Sequence, residues 1–330
     1  MKYLFLNISF ICTFIFGINV YAQDIAIATL QQGDNMQVFY GAGALGSALE
    51  AADHGDLITL SAGNFSAANI NKAVIIQGAG YVTDLENGRY PTVISNYFEI
   101  RLPDDAEGLI IEGVYHNSDI NVRNPATLLT LKKCRSVNVR FEAKSKNCVI
   151  DQCRIGGLVP DAESENLYVK NSVINTIEGN SSSATLYVEN CVIAGCIRNT
   201  ITVLLKNNII SDVIDNYGFI RSSLTNSTVY NNVFIQGNAD GAVIQSGNMS
   251  SDAETLFGYP IAYDDNKTYE LTTASAAAFL GTDGKQVSIY GGATPFTNVP
   301  GNPQITKKEI DAEVPFDGKL KVNITVEAQN

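Results

Sequence analysis

The sequence predicts an all-β solenoid, on three observations. First, one phrase recurs: NLYVKNSVI at 166–174, TLYVENCVI at 185–193, TVLLKNNII at 202–210 and STVYNNVF at 227–234. Each copy is a short alternating apolar run, an Asn and a second short run, and self-similarity at about 20 residues made of strand signals marks stacked repeats. Second, aligning the copies gives aliphatic columns at fixed offsets, as a continuous stacked core requires. Third, the absence of Trp, 17% charged residues and abundant Gly, Asn and Ser suit a β-rich extracellular chain better than a helical one.

At the N-terminus, Lys2 precedes an apolar run from Tyr3 to Val20 that ends in Val20-Tyr21-Ala22. This is the pattern of a secretory signal peptide, residues 1–22, cut after Ala22. A membrane anchor needs a longer run and a positive flank. The expectation is an exported chain, secreted or on the outer cell surface with the periplasm as the other address, and no transmembrane segment in the mature chain. Cleavage removes Lys2 and no acid, leaving 21 basic and 34 acidic residues, a net charge of −13. Such a surface repels nucleic acid and anionic lipid, and disfavours strongly polyanionic glycans. Five cysteines remain, Cys134, Cys148, Cys153, Cys191 and Cys196, an odd number without CxxC spacing. With only His54 and His116 beside them, a zinc centre is not expected.

Ile25 to Leu30 alternates as an opening strand. From Gly43 to His54, Leu45, Ala48, Leu49 and Ala52 fall at helical spacing, giving a short amphipathic helix that stops at Gly55 and covers the open end of the solenoid. Next comes GDLITLSAGNFSAANINKAVIIQGAG, from Gly55 to Gly80. A strand, a small-residue turn, an Asn-Ile step and a second apolar strand ending in Gly-x-Gly resemble the opening coil of pectate-lyase-like right-handed parallel β-helix proteins. With the later coils included, the resemblance covers most of the mature chain. It implies that fold and a secreted bacterial setting, and no particular activity.

The Asn of each phrase marks a coil: Lys133, Gln152, Asn171, Asn190, Asn207 and Asn231, with Gly78 and Gly113 in earlier, less regular copies. About eight coils result, a rod of roughly 40 Å at about 4.8 Å per strand. The marker sits at a sharp corner, where Asn or Gly tolerates left-handed backbone. Two and four residues before it, pairs such as Leu167 and Val169 point inward; three after it stand Ile155, Ile174, Ile193, Ile210 and Phe234. One after it runs Cys134, Cys153, Ser172, Cys191, Asn208 and Asn232, a ladder of small reduced side chains in a tight core, with a Cys134–Cys153 bridge as the alternative.

Two insertions, 81–107 and 211–226, break the period, and in solenoids such insertions are loops that often bind. Beyond Phe234 the phrase decays. Leu256 to Gly292 resembles the closing coil of secreted bacterial β-helix proteins in its Lys267 to Leu271, Gly281 to Gly284 and Tyr290 to Gly292 pieces. Residues 293–330 then form a Pro-containing linker and a hairpin-like tail, with strands at Gln304 to Ile310 and Lys319 to Glu327 around Asp317-Gly318.

Because the resembled family includes lyases and polygalacturonases, their chemistry is sought residue by residue. A lyase needs acids clustered for calcium and an Arg or Lys as base. Arg101-Leu102-Pro103 begins like Arg-x-Pro-x-x-Arg, but Ala106 stands where the second Arg belongs. Asp104, Asp105 and Glu107 offer a weak Ca2+ site, against the plainer reading of a solvated acidic turn. The hydrolase motifs are missing, and His116 is read as a structural histidine lacking a positioned partner. The enzymatic alternative, a polysaccharide lyase or glycoside hydrolase working through the 81–107 loop, thus rests on Arg101, Asp104 and Asp105.

The outward columns are more apolar than solvent-facing β surface should be. Three before the marker stand Thr130, Val149, Tyr168, Tyr187 and Leu204; two after it stand Arg154, Val173, Val192, Ile209 and Val233. Either the chain covers them, through its tail or the 211–226 insertion, or a partner docks there. The leading expectation is a non-catalytic protein without cofactor that binds a polysaccharide or an envelope protein through Tyr168, Tyr187 and Leu204. A structural subunit of an envelope assembly is the other non-enzymatic reading.

Overall fold

The computed structural model describes residues 26–84, 89–104, 106–179, 185–198, 202–214, 224, 227–239, 242–301, 304–310 and 322–327. Asp105 lies outside the described residues, as do the 1–22 segment and most of the 211–226 insertion.

The chain is a right-handed parallel β-helix of about nine turns. In each coil the run before the marker joins a twelve-stranded sheet, here sheet A, and the run after it joins an eleven-stranded one, sheet B. Residues one coil apart pair in register, Leu167 with Leu186, Tyr168 with Tyr187 and Val169 with Val188. Alternation along each strand therefore repeats as columns along the rod, and the inward columns merge into one apolar core running from Ala26 to Ala239. The six later markers turn the corner with left-handed backbone, φ from +43° at Asn171 to +58° at Asn207. Gly78 is there for another reason: a Cβ on it would stand 2.4 Å from the Gly113 carbonyl oxygen.

The N-terminal end is closed as expected. Strands β1 (Ile27–Gln32) and β2 (Asn35–Tyr40) form a hairpin, and β1 pairs antiparallel with β3 (Leu57–Leu60) at the start of sheet A. Helix α1 (Ala44–Ala51) buries Ala44, Leu45, Ala48 and Leu49 against the first coil.

The small-residue ladder after the marker has a use beyond fitting. At the corner a backbone N–H leaves the sheet ladder, and the side chain one coil on accepts it. Cys153 N donates to Ser172 Oγ (3.0 Å), Cys191 N to Asn208 Oδ1 (2.8 Å) and Asn208 N to Asn232 Oδ1 (3.0 Å). Each of these acceptors is fully buried, and each removes a cost of about 1–3 kcal/mol that an orphaned buried donor carries. Cys134 and Cys153 are free thiols, Cys134 N donating to Cys153 Sγ at 3.4 Å. Burial pushes the Cys191 thiol up to about 12 and that of Cys148 up to about 11, which keeps both inert.

The expected closing coil is corrected. The parallel ladders end at Ile244–Ser246 and Met249–Ser250, and residues 253–301 lie along the outside of sheet B. Helices α2 (Ala253–Phe257) and α3 (Thr273–Ala278) begin this strap. Leu256, Phe257, Tyr269, Leu271, Val287, Ile289 and Phe296 bury the column Val173, Val192, Ile209 and Val233, expected above to face outward. Each of those four side chains gains about 1.5–3 kcal/mol by leaving water, which is why the column is apolar. The cover is thus the chain itself, through a segment read as a coil.

The strap then returns along the marker corner toward the first coils. Thr282 N donates to Asn207 Oδ1 (3.0 Å), Asn171 Nδ2 to the carbonyls of Ile289 (2.9 Å) and Gly291 (3.0 Å), and Gln152 Nε2 to that of Thr294 (3.4 Å). At Gly113 a Cβ would meet Pro300 at 2.9 Å, and Gly301 N donates to Glu112 Oε1 at 3.0 Å. Past the strap, Gln304–Ile310 pairs antiparallel with Val322–Glu327. No helix among the described residues is long and apolar enough to cross a membrane.

Candidate functional site

Arg101 does converge with an acid, but not with Asp104. Glu99, on the strand Phe98–Ile100, receives Arg101 Nε at 2.6 Å and Arg123 Nε, from the next coil, at 3.0 Å. Arg123 also reaches Glu142 and the Tyr97 hydroxyl. The hydrogen bond from Arg101 is the main reason the Glu99 carboxyl lies below its ordinary value, with Arg123 adding to it. Such a carboxylate is a poor general acid, because it stays ionised, and a poor base, because both oxygens are occupied. The Arg123 guanidinium is held charged by the same contacts, Glu99 first, which opposes its use as a lyase base. Asp104 and Glu107 are exposed, and no group of three His, Cys, Asp or Glu among the described residues could hold a metal.

His116 occupies the inward column, paired with Ile94 and Ser136. Its Nδ1 lies 2.9 Å from the Ser118 carbonyl and its Nε2 2.9 Å from that of Asn96. A neutral ring can donate to only one of the two. Burial nonetheless prevails and lowers its pKa, with the two carbonyls opposing. At 1% exposure the ring is part of the core.

Sheet A presents a different surface. Its outward column runs Ile75, Ile110, Thr130, Val149, Tyr168, Tyr187, Leu204 and Thr228, all half-exposed, whereas the equivalent stretch of sheet B is buried under the strap. Tyr168 and Tyr187 stack on one another, with ring centroids 4.7 Å apart and planes 13° from parallel. One face of each ring is therefore taken by its neighbour. The pair turns ring edges outward, with Leu204 next in the column.

Two residues further along each strand stands a second column, Glu112, Lys132, Asp151, Lys170, Glu189 and Lys206, its first member buried beneath Gly301 of the strap. The sign alternates at every coil. Lys132 pairs with Glu112 at 3.4 Å and Lys206 with Glu189 at 2.7 Å. Asp151 and Lys170, in the middle, form no ion pair among the described residues, and Asp151 Oδ1 is buried without a hydrogen-bond partner. Burial raises the Asp151 carboxyl, with Lys170 and then Lys132 pulling it back. The signal was legible at one residue before each marker. Glu99 was not, because its partners come from separate positions that only the coiling brings together.

Comparison with family models, with curated proteins and with solved structures gave no match to this chain.

Proposed function

We propose that this is an exported, non-catalytic β-helix protein that works by docking, through the outer face of sheet A, on an envelope protein or a polysaccharide. The half-exposed apolar column with its flanking charge ladder carries the reading. A solvated β surface has no use for Val149, Tyr168, Tyr187 and Leu204 in line, and the matching column of sheet B shows that this chain covers such residues where they are not needed outside. Mutual stacking of the tyrosines favours a protein surface over a sugar ring, since a sugar stacks on an open aromatic face. The pectate-lyase-like resemblance, the secretory leader and a bacterial setting belong to this proposal, supported by the residues quoted for them.

The test compares wild type with Tyr168→Ala/Tyr187→Ala for binding to immobilised uronate and neutral polysaccharides and to solubilised envelope proteins. Binding that survives the double substitution sinks the proposal. So does turnover of a uronate polysaccharide, followed by ultraviolet absorbance, that Arg101→Ala abolishes.

A further inference from the structure

The charge ladder says more about the partner, and this inference rests on the docking reading above. Six residues alternate in sign on consecutive coils: Glu112, buried beneath Gly301 of the strap, and then Lys132, Asp151, Lys170, Glu189 and Lys206. The inner four, Lys132 to Glu189, form an alternating run of even length, and such a run is complementary to itself reversed. Consider a two-fold axis lying in the interface along the strand direction, between the coils of Asp151 and Lys170. It keeps each column over its own copy and inverts the order of coils. Lys132 then meets Glu189 and Asp151 meets Lys170, each contact made twice, while Glu112, 7% exposed and held by Gly301 of the strap, stays out of the contact. A slide by one coil, about 4.8 Å, sets lysine against lysine and acid against acid along the run, so the charges also fix the register.

We propose that the outer face of sheet A docks on the same face of a second copy, antiparallel, about this axis. The apolar column agrees with the charges. Tyr168 falls opposite Val149 and Tyr187 opposite Thr130, so the two rings of one copy meet smaller side chains of the other, and Leu204 falls opposite Ile110, aliphatic against aliphatic. The two residues nearest the axis are the two ladder members that form no ion pair among the described residues, Lys170 Nζ standing 5.7 Å from the Tyr168 ring centre, while the outer ladder pairs close within the chain. In a chain of net charge −12, this internally neutral face is where two copies can approach without repulsion. About eight coils, each some 15 Å wide, bury about 600 Å2 per copy, near the lower bound for a specific interface, so the dimer is reversible and concentration-dependent.

Sedimentation velocity on residues 23–330 across a concentration series tests this. Wild type is expected to show a monomer–dimer equilibrium. Lys170→Glu, at an exposed position, and Asp151→Lys each weaken self-association about a hundredfold or more, since each sets two like-charged pairs at the axis. An equimolar mixture of the two variants is expected to associate again, because each then supplies the charge the other lost; a ladder acting only within one chain gives no such rescue. Thermal melting confirms that each variant is folded, and if Asp151→Lys is not, Glu189→Lys with Lys132→Glu replaces the pair. Three results overturn the proposal: a wild type monomeric throughout, a dimer indifferent to Lys170→Glu, or folded variants whose mixture stays monomeric. Should the second copy fail while Tyr168→Ala/Tyr187→Ala still loses polysaccharide or envelope-protein binding, the docking reading stands without it.

Discussion

Replacing Asn171 asks two things of the same residue. Its backbone holds φ +43°, and its side-chain amide, 2% exposed, donates to the carbonyls of Ile289 and Gly291 at 2.9 and 3.0 Å. Asn171→Gly keeps the corner and removes the amide, leaving two buried acceptors short of a donor. At about 1–3 kcal/mol for each group left unsatisfied, and with some relief from relaxation, a loss of about 2–4 kcal/mol is expected. Asn171→Ala removes the same amide and also forces alanine into left-handed backbone, adding about 1–2 kcal/mol. Urea unfolding measures the totals, and the difference between the two variants isolates the corner. Because the amide joins coil to strap, native-state proteolysis between 280 and 301 should quicken in both variants before global unfolding does. If both lie within about 0.5 kcal/mol of wild type, or the strap is cut no faster, the marker column is not the seat of the strap.

Arg154 is 5% exposed beneath the strap, donates to the Lys267 carbonyl at 2.8 Å, and has Tyr269 and Phe296 rings 5.7 and 5.3 Å from its guanidinium carbon. Arg154→Ala should cost about 2–4 kcal/mol in thermal or urea unfolding, and Arg154→Met less, since the stem still fills the space; equal losses would show that the guanidinium contributes nothing. For His116, the lowered pKa means that the unfolded chain takes up the proton first. Stability is therefore full above the ordinary value of 6.5 and falls as pH drops through it, by no more than about 1.4 kcal/mol per pH unit. Urea midpoints at pH 7.5 and 5.5 should converge in His116→Phe; an unchanged pH dependence refutes the assignment.

The coil was legible because its causes are periodic. A left-handed corner asks for Asn or Gly, and inward columns ask for aliphatics, so Asn171, Asn190 and Asn207 with Ile174, Ile193 and Ile210 expose the repeat directly. The strap was not legible, because nothing in it repeats: Asn171 binds Ile289 and Gly291, while Gln152 reaches Thr294. Its only trace in the sequence was indirect, the excess of apolar residues at Val173, Val192, Ile209 and Val233, which shows that a cover exists and not which segment supplies it. The Cys-Ser-Asn ladder is legible as small and inward-facing, yet its work as acceptor for the corner N–H needs the stagger between coils. Glu99 is a third case, since 99, 101, 123 and 142 have no common spacing and meet only through stacking.

Repeat arrays usually tolerate the gain or loss of a unit, since each repeat answers only to its neighbours. Here the strap spans the coils from Asn207 back to Glu112 and Gly113 with fixed seats along the way. Deleting one coil would move every later seat by about 4.8 Å against a segment whose own length has not changed. The strap therefore acts as a gauge, setting the number of coils the chain can hold. It also delays completion, because a segment that closes on the first coils is made only after the last.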